Sequence, residues 1–231
     1  MSVTTPALWS MNEAPESAEE HFRIADRHLS RSLIVNRDRI NDRLQLEAER
    51  DPAASFDEIE LRLLSQTPMP IPLIGEPGYA PSLFFEGFIY VSRHLRDVFG
   101  LPPGVVHCQS VDASGCAEPA RSAGYTTFQP ICVADPIDQE RSDGEWIDVL
   151  GRDGGPDRMW MPLGGPTRPA PRIVLRPDFR PPAPVFRQPN GGPPIVTDEI
   201  AERVLRAGVD DVVFIRIGQE RGQTENVCKT L

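Results

Sequence analysis

The chain has 231 residues, 39% of them hydrophobic, 25 prolines and a formal net charge of −10 at pH 7. That length carries one large domain, or one domain with an appendage, and enough apolar residues for a core, while the prolines demand long stretches of loop. The acidity disfavours direct nucleic-acid binding, since phosphates repel it unless a local basic patch intervenes, and it permits a basic protein partner.

Further classes fall away on patterning. No N-terminal stretch joins a basic region to an apolar run, so a secretory signal is not expected, and no segment has the length of a membrane-spanning helix. Cys108, Cys116, Cys132 and Cys228 are too sparse for a secreted disulfide scaffold. Lys229 is the only lysine, an arginine bias that fits the codon usage of a GC-rich bacterium. The expected home is therefore the bacterial cytoplasm, with thiols reduced.

Met1 to Pro15 reads as polar and irregular, with Trp9 as its large anchor; such an end is frayed or docked by that indole. From Glu16 to Arg50 the chain is heavily charged, and Phe22, Ala25, Leu29, Leu33, Ile40 and Leu44 fall near one stripe. That spacing predicts one long helix or two consecutive ones, with Leu33–Val35 as a possible strand between them. Ser55 followed by Glu58 is a capping box before Ile59, Leu63 and Leu64, predicting a short helix over 56–66. Residues 1–66 thus form a mainly helical N-terminal segment. The stretch 67–81 contains PMPIPLIGEPGYAP, too rich in proline for a helix interior or a central strand, and is expected to be a connector.

The next stretch, FIYVSRHLRDVFGLPPGVVHCQSV over 88–111, is a strand–helix–strand pattern. Ile89 and Val91 begin it, Ser92 caps, Leu95, Val98 and Phe99 form the apolar stripe, and Gly100 stops the helix. A polar loop follows over 112–124, then a strand over 125–133 in which Pro130 implies an edge or a bulge. Residues 134–148 are acidic, with Asp135, Asp138, Glu140, Asp143, Glu145 and Asp148; Trp146 and Ile147 are expected to pin this loop to the core. Residues 151–171 are rich in glycine and proline, 173–175 reads as a strand, and 177–194 as a connector broken by Val185-Phe186-Arg187.

PPIVTDEIAERVLRAGVDDVVFIRI, 193–217, repeats the pattern. Val196 matches Val91, Thr197 matches Ser92 as cap, Ile200 matches Leu95 and Val204 matches Phe99. Asp198 and Glu199 stand where the helix dipole favours negative charge, and Gly208 ends the helix. Residues 218–231 read as a polar tail. The predicted architecture is α+β: a mixed or antiparallel sheet with two strand–helix–strand units over 82–217, preceded by the helical segment.

Chemistry-bearing residues are few. His107, Cys108, Cys116 and Cys132 lack the paired spacing of zinc ligands, and adjacent residues of a strand point to opposite faces, so isolated buried cysteines and a surface histidine are expected. Ser92 beside His94 is explained as a helix cap, and there is no G-x-S-x-G turn. The glycine clusters at Gly151 and Asn190 match neither a P-loop nor a dinucleotide fingerprint. No catalytic, cofactor or metal site is therefore expected. The acidic run reads as a solvated loop; if it has a function, presenting negative charge to a partner suits it best. Too few arginines, Arg141 and Arg152, stand nearby in sequence to neutralise it, so most of its carboxylates are expected to face water.

Four segments, YVSRHLRDVF, FQPICVADPIDQERSD, IVLRPDF with VFR shortly after it, and IVTDEIAERVLRAGVDDVVFIRI, resemble an immunity-protein family of bacterial polymorphic toxin systems. That family was first catalogued as a domain of unknown function and is numbered eleventh among the immunity families. The resemblance covers roughly 81–217 and does not extend to the residues before it. It implies a cytoplasmic protein that binds and neutralises a cognate toxin domain, by occluding or locking it. Asp135, Asp138, Glu140, Asp143, Glu145 and Asp148 are the expected partner-binding residues. A hydrolase-like enzyme with a loop-built site, or an adaptor module of a secretion system, are the alternatives.

Overall fold

The computed structural model describes residues 7–13, 22–24, 49–51, 53–54, 59, 71–75, 78, 80–85, 89–150, 156–162, 172–189, 193–218 and 228–229. The chain forms two compact units, one made of residues 1–12 with 132–231 and the other of 13–131. Both mix short helices with small, mainly antiparallel sheets, an α+β arrangement.

The first unit is built on a five-stranded sheet in the order Val185–Phe186, Ile195–Thr197, Leu8–Glu13, Val212–Ile217, Cys228–Lys229. Its middle strand comes from the N-terminal stretch that reads as irregular. Leu8 pairs with Thr197, Trp9 with Val196 and Ser10 with Ile195, antiparallel, and the Met11 N–H donates to the Pro194 carbonyl at 2.9 Å. Leu8, Trp9 and Met11 are buried. The Trp9 indole N–H donates to the Asp198 carboxylate at 2.8 Å, so this end is docked. The supposed tail also contributes a strand, Cys228–Lys229, paired with Phe214 and Ile215. Both strands are poor in β-branched residues, and their partners stand outside the strand's own sequence neighbourhood, so local pattern does not announce them.

Helix Asp198–Arg206 lies between two of these strands. Ile200, Ala201 and Val204 are buried along one face, as the stripe predicts. Glu199 and Arg203 form an exposed i,i+4 pair at 2.7 Å. Gly208, at φ +79°, takes the left-handed conformation that ends the helix. Thr197 occupies the N-cap position but makes no side-chain capping bond, contrary to expectation. Its backbone is engaged in the sheet, with its N–H donating to the Pro184 carbonyl at 3.0 Å, and a β-branched side chain has few rotamers with which to turn back. A separate apolar cluster gathers Leu8, Phe186 and Ile195, with Cys132, Leu175, Phe179 and Ile217 packed against them.

In the second unit Ser92 does cap. Its buried hydroxyl accepts from the Leu95 N–H at 3.2 Å, opening helix Arg93–Phe99, which Gly100 closes at φ +54°. Leu95 and Phe99 are fully buried, and the Phe99 ring lies 5.0 Å from that of Phe128. The preceding strand, Ile89–Val91, sits between Leu83–Phe85 and Thr126–Thr127. Phe84 and Tyr90 stack at 4.7 Å across that pair, and the Tyr125 hydroxyl donates to the Pro81 carbonyl at 2.9 Å.

The two strand–helix–strand units share cap position, stripe and stop, but not topology. Ile195–Thr197 and Val212–Ile217 belong to one sheet, whereas Val106–His107 leaves the sheet of Ile89–Val91 and pairs with Gln129–Pro130. The expected strand over 125–133 is accordingly split at Phe128, whose side chain is buried.

The stretch read as a connector contains strand Ile71–Gly75, the middle of a three-stranded sheet with Phe22–Ile24 and Val111–Asp112. Proline is tolerated because the two ladders do not overlap. Leu73 to Gly75 pair antiparallel with one neighbour, and Ile71 and Pro72 pair parallel with the other, so Pro72 owes a bond to only one side. Phe22–Ile24 being a strand also corrects the helical reading there. Of the predicted N-terminal helices, only Glu49–Arg50 and Ile59 are helical among the described residues; the remainder lies outside them.

The buried stripes predict that Phe99→Ala and Ile200→Ala each lose about 2–5 kcal/mol in urea unfolding. The caps separate more finely. Ser92→Ala should lose about 0.5–2 kcal/mol, and Thr197→Ala distinctly less, because only the first removes a side-chain bond to a helix N–H. Equal losses for the two would contradict the geometry.

Candidate functional site

The acidic run over 134–148 is not one loop. Its first part folds as a clasp onto 172–176, and its last part enters a β-hairpin. In the clasp, Asp138 N–H donates to the Val174 carbonyl, Arg176 N–H to the Pro136 carbonyl and Asp143 N–H to the Arg172 carbonyl, at 2.8, 2.9 and 2.8 Å. Ser142 completes it: its hydroxyl donates to the Asp138 carbonyl at 2.7 Å and accepts from the Val174 N–H at 2.9 Å.

Three of the expected partner-binding carboxylates are consumed here. Asp135 accepts from the Ile137 N–H at 3.0 Å and the Gln139 amide at 2.6 Å. It also faces the Arg176 guanidinium at 3.6 Å, with its side chain only 20% exposed. Asp138 accepts from the Arg141 N–H at 3.3 Å and meets the Arg141 guanidinium at 3.8 Å, 21% exposed. Asp143 accepts from the Arg172 N–H at 3.0 Å. The expectation that most of the run faces water therefore fails for these three. Arg141 meets Asp138, and Arg176, far away in sequence, supplies the charge that faces Asp135; Arg152 lies outside the described residues.

Glu140, Glu145 and Asp148 remain exposed. Glu140 borders an open hollow of about 350 Å³ lined by Asp138, Gln139, Glu140, Arg176, Pro177 and Asp178. Glu145 and Asp148 stand on strand Gly144–Leu150, which pairs antiparallel with Pro156–Pro162; the glycine- and proline-rich reading of 151–171 did not foresee this second strand. Trp146 is 49% exposed and Met161 43%, so Trp146 does not pin the run to the core. Trp160, opposite Trp146 in register, is the buried indole. It lies over Gly144, where a Cβ would overlap its ring. Asp148 approaches Arg158 at 3.5 Å, and Arg158 sits 5.6 Å from the Trp146 ring centre.

Elsewhere the other weighed residues are dispersed. His94 is exposed on its helix, His107 is half-buried, Cys108 is exposed, Cys116 buried and Cys132 between these, so His107 and Cys108 reverse the expectation of a surface histidine beside a buried cysteine. Although part of Cys108 reaches solvent, desolvation of its thiol raises its pKa, opposed by the nearby Arg96 charge. No group of three or more His, Cys, Asp or Glu side chains suited to a metal ion occurs among the described residues. Glu118 is held below the usual carboxylate range by the Ser122 hydroxyl and Arg121, and Asp112 by Ser114; both are local turn contacts.

Comparison with protein-family models and with curated proteins finds no match to this chain. No helix among the described residues is long and apolar enough to cross a membrane.

The arrangement divides the acidic run into structural and free carboxylates. Asp135→Ala should lose about 1–3 kcal/mol, because it strips acceptors from a backbone N–H, an amide and a guanidinium at once. Asp148→Ala should stay within about 0.5 kcal/mol of the parent. Urea unfolding of both variants checks the division, and a neutral Asp135→Ala would dissolve it.

Proposed function

We propose that this is an immunity-type protein that binds and neutralises a cognate bacterial toxin domain in the cytoplasm of the producing cell. The observation that carries a partner-binding role is the hairpin Gly144–Leu150 with Pro156–Pro162, which holds Trp146 open to solvent beside Asp148 on one face and Met161 beside Glu145 on the other. Large apolar side chains rimmed by charge are the usual composition of a protein interface. The toxin as partner rests on the four resembling segments, two of which hold the helices of the strand–helix–strand units while another holds most of the clasp. Neutralisation by occlusion needs no chemistry from this chain. Its carboxylates would serve encounter, since a concentrated negative surface accelerates association with a basic partner, and salt screens the gain.

Because Asp138 and Asp143 belong to the clasp, the charges to test are Glu140, Glu145 and Asp148. The triple variant Glu140→Gln, Glu145→Gln, Asp148→Asn should fold normally and associate more slowly with the toxin domain encoded beside it, the gap closing at high salt. Stopped-flow association at low and high ionic strength measures this. Identical rates at low salt would remove these charges from the interface, and a failure of co-expression to protect cells from the toxin would remove the immunity reading itself.

A further inference from the structure

The hairpin's two faces differ in a way that specifies a partner. Residues directly opposite in an antiparallel pair share a face, and alternate residues share it along each strand. The register therefore puts Gly144, Trp146 and Asp148 with Arg158, Trp160 and Pro162 on one face. There the charges cancel within the chain, Asp148 against Arg158 at 3.5 Å. The other face carries Glu145 opposite Met161, Ile147 opposite Met159, and Val149 opposite Asp157. Ile147, Val149 and Met159 are half-buried, while Met161, Glu145 and Asp157 are exposed.

This second face has an apolar centre, a carboxylate at each diagonal corner and no basic residue. Four residues along the strand and one step across put Glu145 and Asp157 about 14 Å apart at the backbone. We infer that this face docks an amphipathic, basic helix of a partner protein, with its apolar stripe on Ile147, Val149, Met159 and Met161 and cationic side chains reaching Glu145 and Asp157. An apolar sheet face is satisfied when another element covers it, and a helix is the element that commonly does so. Basic residues eight apart on a helix are about 12 Å apart along its axis and about 80° apart around it, one toward each flank of the apolar stripe, a separation that arginine's reach matches to the two diagonal carboxylates. A second copy of this chain is the wrong occupant. Pairing two such faces would set Glu145 and Asp157 against carboxylates or apolar corners of the other copy, with no cation on either face to neutralise them.

The inference refines the partner-binding reading above, yet its test needs no toxin, so the two fail separately. The probe is a synthetic 15-residue helical peptide with a leucine stripe flanked by arginines eight residues apart, labelled for fluorescence anisotropy against the full chain. Two controls replace the arginines by glutamate, or the leucines by glutamine. The leucine–arginine peptide should bind and both controls should bind at least about tenfold more weakly. Glu145→Gln with Asp157→Asn should weaken binding roughly fivefold to tenfold and flatten its salt dependence. Asp210→Asn, exposed but off the hairpin, should leave it unchanged. Hydrogen exchange guards against a misfolded variant: in the unmodified chain the peptide should protect amides of 144–150 and 156–162. Absence of binding up to about 1 mM, equal binding of the glutamate peptide, or protection confined to other segments would each overturn the inference.

Discussion

The first compact unit depends on one main-chain ladder, the antiparallel pairing of Leu8–Glu13 with Ile195–Thr197. Because Leu8–Glu13 also neighbours Val212–Ile217 in the sheet, it satisfies backbone groups on both flanks that would otherwise be buried without partners. Bringing together residues so far apart in sequence costs entropy, but that cost grows only with the logarithm of the loop. Burial of Leu8, Trp9 and Met11 offsets it, at about 1.5–3 kcal/mol for a fully buried large apolar side chain. The indole bond to Asp198 adds direction. It ties the inserted strand to the first turn of the helix that follows Ile195–Thr197, so strand and helix are positioned together.

The same unit shows how an acidic sequence can be sorted by geometry. Asp135, Asp138 and Asp143 face backbone N–H groups and guanidinium groups; Asp135 and Asp143 hold 135–143 against Arg176 and Arg172, while Asp138 braces the turn to Arg141. Glu145 and Asp148 lie only a few residues further on, yet they are carried out on a two-stranded sheet. A hairpin of that size is marginal by itself in water. The packing of Trp160 over Gly144 gives it a local anchor, and glycine is required there because any Cβ would occupy the ring's place. With one indole committed to that anchor, Trp146 is left half in solvent. Structural and presentational carboxylates thus come from one run, separated by where the strand begins.

Local order was readable from sequence where local energetics set it. Ser92, Leu95, Phe99 and Gly100 in one unit, and Ile200, Val204 and Gly208 in the other, act within a few residues of each other, and helix spacing, cap and left-handed stop all appear in the structure. The α+β composition follows from the same elements. Tertiary structure alone decided which strands became neighbours: Leu8–Glu13 in the middle of a sheet, Cys228–Lys229 at its edge, and Ile71–Gly75 between two partners despite Pro72. Strand pairing is made by backbone groups that every residue carries, so a short strand with few β-branched residues leaves no local trace of its partner. The fate of each carboxylate was hidden for a related reason. Whether Asp135 faced water depended on Arg176, and a charge is neutralised by what folding brings near it, not by what stands beside it in the chain.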